Sequence, residues 1–237
     1  MVRLLDIFYD KTLNTKNMIW IIIGAIFLLS IIVQAVLKSK IKKYSKIATG
    51  LTGAEAAMKM LQDNGIYDVT VNCTDGFLTD HYNPQTKQVN LSTDVYNGNN
   101  IASVAIAAHE CGHAVQHARG YAFLKMRSAM VPIVNFANNT VQFVLLLGII
   151  LLESFPSVLW AGIALFALTT LFSFVTLPVE INASARAVRW LDGAGITTYE
   201  TKPMAVNALK WAAYTYVIAA IGSLATLIYY ITIASRR

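Results

Sequence analysis

His109-Glu110-Cys111-Gly112-His113 has the form H-E-x-x-H, and these residue types are suited to metal-assisted hydrolysis. Two histidines four residues apart on a helix differ by about 40° around its axis, so both imidazoles leave one face. Two neutral imidazoles make half of a tetrahedral zinc site, and the glutamate between them can take a proton from a water held there. Random placement of 4 His and 5 Glu over 237 positions produces this pattern in roughly one chain of 700. It is therefore read as a site rather than as a pair of core histidines.

Chemistry of this kind needs a helix under the motif. Ile101 to Ala118 holds no proline and only one glycine, and Asn99 or Asn100 can cap its start. The stretch is mostly Ala, Ile and Val, which predicts a buried site with restricted water. Cys111 falls about 200° from His109 around the helix and is expected to pack rather than to bind metal. His117 continues the histidine row but is expected at the surface or behind the ligands, since three ligands on one straight helix fit a tetrahedral ion poorly.

A catalytic zinc takes three protein ligands and keeps one position open, so a third ligand must come from elsewhere. Glu180 is the candidate. It follows Pro178 and Val179 at the end of an apolar stretch, where an unpaired carboxylate is costly and a dication would compensate it. Asp192, in Leu191-Asp192-Gly193, is the rival; that tripeptide resembles the aspartate ligand motif of site-2 intramembrane proteases, without the proline that normally precedes it. A third reading is a non-catalytic scaffold with a structural zinc. Such sites are closed and cysteine-rich, whereas Cys73 and Cys111 lie apart and off the histidine face. His81, Tyr82 and Arg186 are candidates to stabilise a transition state or bind substrate.

The chain is 56% hydrophobic and 14% charged, too apolar for an ordinary soluble domain. Residues 17–37, 128–152, 154–179 and 211–235 lack charge for about the length a bilayer needs. Four spans place residues 38–127 and 180–210 on one side with 14 Lys and Arg, against 5 on the other, counting Arg236 and Arg237. Lys38, Lys40, Lys42, Lys43 and Lys46 directly follow the first span, so this side is expected to be cytoplasmic. The same distribution assigns the net charge of +6 to membrane orientation rather than to nucleic acid. The two cysteines then face a reducing compartment.

The predicted organisation has five segments. Residues 1–47 hold a short tail, a transmembrane anchor and a basic linker; 48–127 form a cytoplasmic α+β catalytic segment; 128–179 form a transmembrane hairpin; 180–210 form a cytoplasmic helical segment with the third ligand; and 211–237 form a last transmembrane helix. Within the second segment, Thr52-Gly53-Ala54-Glu55 has the capping-box form. Strand-like stretches run Tyr67 to Cys73, Phe77 to Tyr82 and Lys87 to Ser92, with a turn at Asn83-Pro84-Gln85-Thr86. Lys87 to Ser92 is the candidate edge strand for holding an extended substrate by backbone hydrogen bonds.

Beyond these spacings, a set of short motifs is familiar. Ser45-Lys46, Gly50-Leu51-Thr52-Gly53-Ala54-Glu55, Asp80-His81-Tyr82-Asn83-Pro84, Leu91-Ser92, the stretch from Ala107 to Gln116 and Leu177-Pro178-Val179-Glu180 resemble the YugP-like family of bacterial, membrane-bound neutral zinc metallopeptidases. The resemblance runs from the first span to the last. It implies a zinc peptidase and a more distant similarity to HtpX-type gluzincins, in which a Glu after a membrane segment completes the site; here that is Glu180. Asn83 and Cys111 stand where relatives are expected to carry Asp and Val. The combined expectation is a mostly α membrane protein of about four transmembrane helices with a small gluzincin-like α+β insertion. It would be a multi-pass protein of the plasma membrane with a cytoplasmic site. One Zn2+ on His109, His113 and Glu180, with Glu110 as base, would cleave a protein or peptide substrate.

Overall fold

The structure, a computed structural model, describes residues 2–76 and 78–235, with the backbone alone for 2–19. Phe77, where the second strand was expected to begin, and Arg236 and Arg237 lie outside the described residues. Among the described residues, seven helices and three strands follow in order: α1 (Val2–Tyr44), α2 (Gly53–Asp63), β1 (Thr70–Thr74), β2 (His81–Asn83), β3 (Gln88–Ser92), α3 (Thr93–Asn97), α4 (Ile101–Ala118), α5 (Ala122–Ile150), α6 (Pro156–Gly193) and α7 (Lys202–Ala234). Four of the helices (α1 from Trp20, α5, α6 and α7) are long and apolar enough to cross a membrane. Helix runs past at least one end of each charge-free stretch, α5 beginning at Ala122, α6 continuing to Gly193 and α7 beginning at Lys202, because backbone hydrogen bonding continues where polar side chains begin. The expected polar tail likewise carries helical backbone from Val2 onward.

The chain divides into two compact units. One takes the chain up to Ile32, Met130–Phe174 and the chain from Tyr216; the other takes Val33–Ala129 and Val175–Thr215. In the first, Val141, Leu145, Leu159, Ile163 and Ala234 form a small core, while Phe27 (65% exposed) and Phe143 (69%) point outward. Large apolar side chains exposed to this extent suit lipid, not water.

The second unit is built around α4. Thr52 and Glu55 form the expected capping box at the start of α2, whose Ala56, Ala57, Met60 and Leu61 are buried against α4. Asn100 caps α4 through Ser103 N at 3.0 Å, and the helix ends before Gly120, whose φ of +66° breaks it. Burying a Val or Ile side chain contributes about 1.5–3 kcal/mol, and Ile101 and Val104 are both almost fully buried. The motif helix is thus held from below by its own apolar face.

The sheet has the order β1-β3-β2, with β1 parallel and β2 antiparallel to β3. This corrects two expectations. Lys87 to Ser92 is not an edge: β3 is the middle strand, both its sides are paired, and Val89 and Leu91 are fully buried. No side of it is left for substrate, and the free edges belong to β1 and β2. The second strand also begins only at His81, because Gly76 at φ +107° and Leu78 at φ +58° cannot continue a ladder. The turn lies where expected, with Asn83 Oδ1 accepting from Gln85 N at 2.9 Å and Thr86 N at 3.3 Å.

Candidate metal centre

Helix α4 carries both histidines of the motif, and α6 meets it at Gly112. A Cβ on Gly112 would lie 2.7 Å from the carbonyl oxygen of Ala183. Only a residue without a side chain allows this approach, which sets Glu180, one turn before Ala183, against the histidine face. Glu180 Oε2 is 3.3 Å from His109 Nε2 and 3.7 Å from His113 Nε2. The imidazole centroids are 4.9 Å apart and near perpendicular, at 84°. All three donor atoms lie within 4.8 Å of one another. Among the described residues this is the group of three or more His, Cys, Asp and Glu able to hold a metal ion.

The donor set suits zinc. Ligands at about 2.0–2.2 Å in a tetrahedron are spaced roughly 3.3–3.6 Å apart, and the observed His–Glu distances of 3.3 and 3.7 Å bracket that value. Three donors leave a fourth position open. Each donor is also braced on its far side. His109 Nδ1 contacts Ser184 Oγ at 3.1 Å, and His113 Nδ1 contacts Gln116 Oε1 at 3.1 Å. Gln116 Nε2 donates to Val179 O at 2.8 Å and to Asn182 Oδ1 at 3.0 Å, so its Oε1 is free to accept the His113 Nδ1 proton. That leaves the His113 Nε2 lone pair facing Glu180, as metal binding requires. Arg127 Nη1 stands 3.4 Å from the other Glu180 oxygen, Oε1.

Glu110 is buried beside the pair. Burial pushes its carboxyl up to about 7; the His109 charge opposes this, and the negative charges of Glu180 and Asp80 add to it. Asp80 is held by Ser92, whose N donates at 2.8 Å and whose Oγ donates at 3.1 Å.

The remaining candidates occupy separate places. His81, on the edge strand β2, is engaged through both nitrogens, 2.7 Å from Thr79 O and 3.1 Å from Asn90 Nδ2. Tyr82 Oη meets Nδ1 of exposed His117 at 2.8 Å. Arg186 Nε donates to Asn182 Oδ1 at 2.7 Å and so joins the network behind His113 rather than the open face. Asp192 is exposed and bound to Lys202 Nζ at 2.7 Å, on the same continuous helix as Glu180 but outside the cluster. Cys111 is fully buried with Sγ 3.5 Å from Ala57 O, and neither cysteine belongs to the donor group.

Sequence reasoning missed Gln116, Ser184 and Arg127. Gln116 sits one turn from His113, and Ser184 one turn from Glu180, so helical spacing alone could have raised both. Arg127 carries no such signal, since its partner is distant in the chain.

A multi-pass helical membrane protein whose H-E-x-x-H helix supplies two histidines to a carboxylate from a second helix is the class that fold and site define. The chain belongs to the family described as "putative neutral zinc metallopeptidase", which it matches over residues 19–235. It is 42% identical over 207 residues to the "Putative membrane protease YugP" of Bacillus subtilis (strain 168), spanning 86% of this chain and 91% of that protein. No solved structure matches it.

Proposed function

We propose that the chain is a membrane-embedded, zinc-dependent endopeptidase of gluzincin type, working on the cytoplasmic side of the plasma membrane. The observation that carries this reading is the meeting of Glu180 with the two motif histidines at 3.3 and 3.7 Å, 67 or more residues away in the chain. His109, His113 and Glu180 would hold one Zn2+. Bound there, zinc supplies Lewis acidity, lowering the pKa of a coordinated water toward 7 and polarising the scissile carbonyl. Glu110 accepts the proton of the attacking water and passes it to the leaving amine. Ser184 and Gln116 hold the imidazoles in the tautomer that presents Nε2.

Glu110→Gln tests the reading. The amide keeps the shape but cannot act as base, so zinc content should stay at the wild-type level while peptide cleavage falls about 10²–10⁴-fold. Cleavage of a casein-like substrate by this variant at the wild-type rate would remove Glu110 from the mechanism.

A further inference from the structure

Between Ile101 and Gln116 every residue of α4 is buried except Ile106 and His109. These two lie three residues apart on one face. Ala102, Ile106, His109 and His113 follow each other at spacings of four, three and four, so they form a single stripe along the helix. Before its exposed last residues, His117 and Ala118, the accessible part of the motif helix is therefore one apolar side chain and one metal-ready imidazole, about one turn apart.

A cavity of about 490 Å³ opens over the first half of that stripe. Ala102 and Ile106 form its floor, and Val95 and Leu78 add apolar walls. The end of α1 also lines it, through Lys38, Ile41 and Lys42, with Ser45 just beyond the helix. Ser92 also lines it, and Ser92 holds Asp80, whose charge reaches Glu110. The groove is lined by none of the proposed reaction-centre residues; it adjoins them along α4, where Ile106 lies about one turn before His109, and through the hydrogen bond from Ser92 to Asp80. Leu78 is in the left-handed region at φ +58°, a conformation that costs energy for a branched aliphatic residue and accumulates at ligand-binding places.

The size and lining suit one bulky apolar side chain with its flanking backbone. The rim suits a negative charge. Lys38 and Lys42 are exposed and form no ion pair among the described residues, and Asp94 is the one carboxylate on the wall. We propose that this groove is the substrate subsite on one side of the scissile bond, selecting a bulky apolar residue with an aspartate or glutamate beside it. The proposal rests on the endopeptidase reading and names the sequence class that such an enzyme would take.

The test uses the purified, zinc-loaded full chain and three fluorogenic peptides: one with Leu flanked by Glu, one with Leu flanked by Lys, and one with Gly flanked by Glu. Wild type should cleave the first with kcat/KM about tenfold above the other two. Lys38→Glu with Lys42→Glu should invert the order of the Glu and Lys peptides. Lys40→Glu with Lys43→Glu makes the same charge change at two lysines outside the groove lining and should keep the wild-type order. Ile106→Trp, which fills the groove, should raise KM for the Leu peptides about tenfold at unchanged zinc content. Equal cleavage of all three peptides by wild type, or the same shift in both lysine pairs, would assign these lysines to membrane orientation alone and overturn the proposal. Zinc-loaded wild type that cleaves no peptide at all would instead remove the endopeptidase reading and the subsite with it.

Discussion

At the scale of residues, Glu180 is the side chain on which the site turns. Its two oxygens face different ways: Oε2 toward the imidazoles and Oε1 toward Arg127. Two imidazoles alone hold zinc weakly, so Glu180→Ala should abolish most bound zinc, while Asp192→Ala should leave it unchanged. Zinc content of the two purified variants measures this directly, and loss of metal in Asp192→Ala alone would shift the third ligand to the aspartate. Arg127 tests the bracing. Removing a group that holds a ligand typically weakens metal binding about 10–100-fold. Arg127→Gln should therefore lower zinc affinity by that order, and Arg127→Lys should restore part of it, as read by competition with a chelator. An unchanged affinity in Arg127→Gln would reduce the Arg127 contact to a passive one.

At the scale of elements, the site depends on how closely α4 and α6 approach. Glycine is a poor helix former, and in an open helix Gly→Ala would gain about 1 kcal/mol. At Gly112 the gain is outweighed, because the new Cβ would sit 2.7 Å from Ala183 O and 3.1 Å from Ala183 Cα. Both are backbone atoms that cannot rotate away. Forced overpacking of this kind costs about 1–3 kcal/mol. Gly112→Ala should lower the thermal midpoint and weaken zinc binding together, since the same displacement loosens the packing and moves Glu180 from the histidines. A stabilised Gly112→Ala protein with full zinc affinity would show that the helices meet less tightly than this geometry requires. The sheet matters at this scale too. With β3 in the middle, an extended substrate can add only at β1 or β2, and β2 carries His81.

At the scale of the whole molecule, positive charge is unevenly distributed along the chain. The residues from 38 to 127 and from 180 to 210 carry 14 of the 19 Lys and Arg. On the proposed four-span topology, the positive-inside rule predicts that these segments face the cytoplasm. In a background with Cys73 and Cys111 replaced, single cysteines at Lys43 and Lys202 should be labelled only when reagent enters the cytoplasm. One at Ser154 should be labelled from outside. A cytoplasmic Ser154 would contradict an arrangement in which α5 and α6 form a spanning hairpin.

The sequence determined what is local or periodic. The motif helix runs over Ile101–Ala118 as its composition and caps require, the capping box at Thr52 forms, and the Asn83 turn forms, because each depends on neighbours within one or two helical turns. Four long apolar helices were legible because an uncharged stretch of bilayer length has few other uses. Glu180 was legible from position, as a costly carboxylate at the end of an apolar stretch on the histidines' side by the parity of the spans, and from the family resemblance of Leu177-Pro178-Val179-Glu180. Tertiary structure decided the rest. It brought Glu180 within reach of the histidines through a glycine contact, set Arg127 and Gln116 behind the candidate ligands, and paired Asp192 with Lys202 away from them. It also made β3 the central strand, since alternation reveals which face of a strand is buried but not which neighbours flank it. Those contacts join residues tens of positions apart, and periodicity along a chain carries no information about such distances.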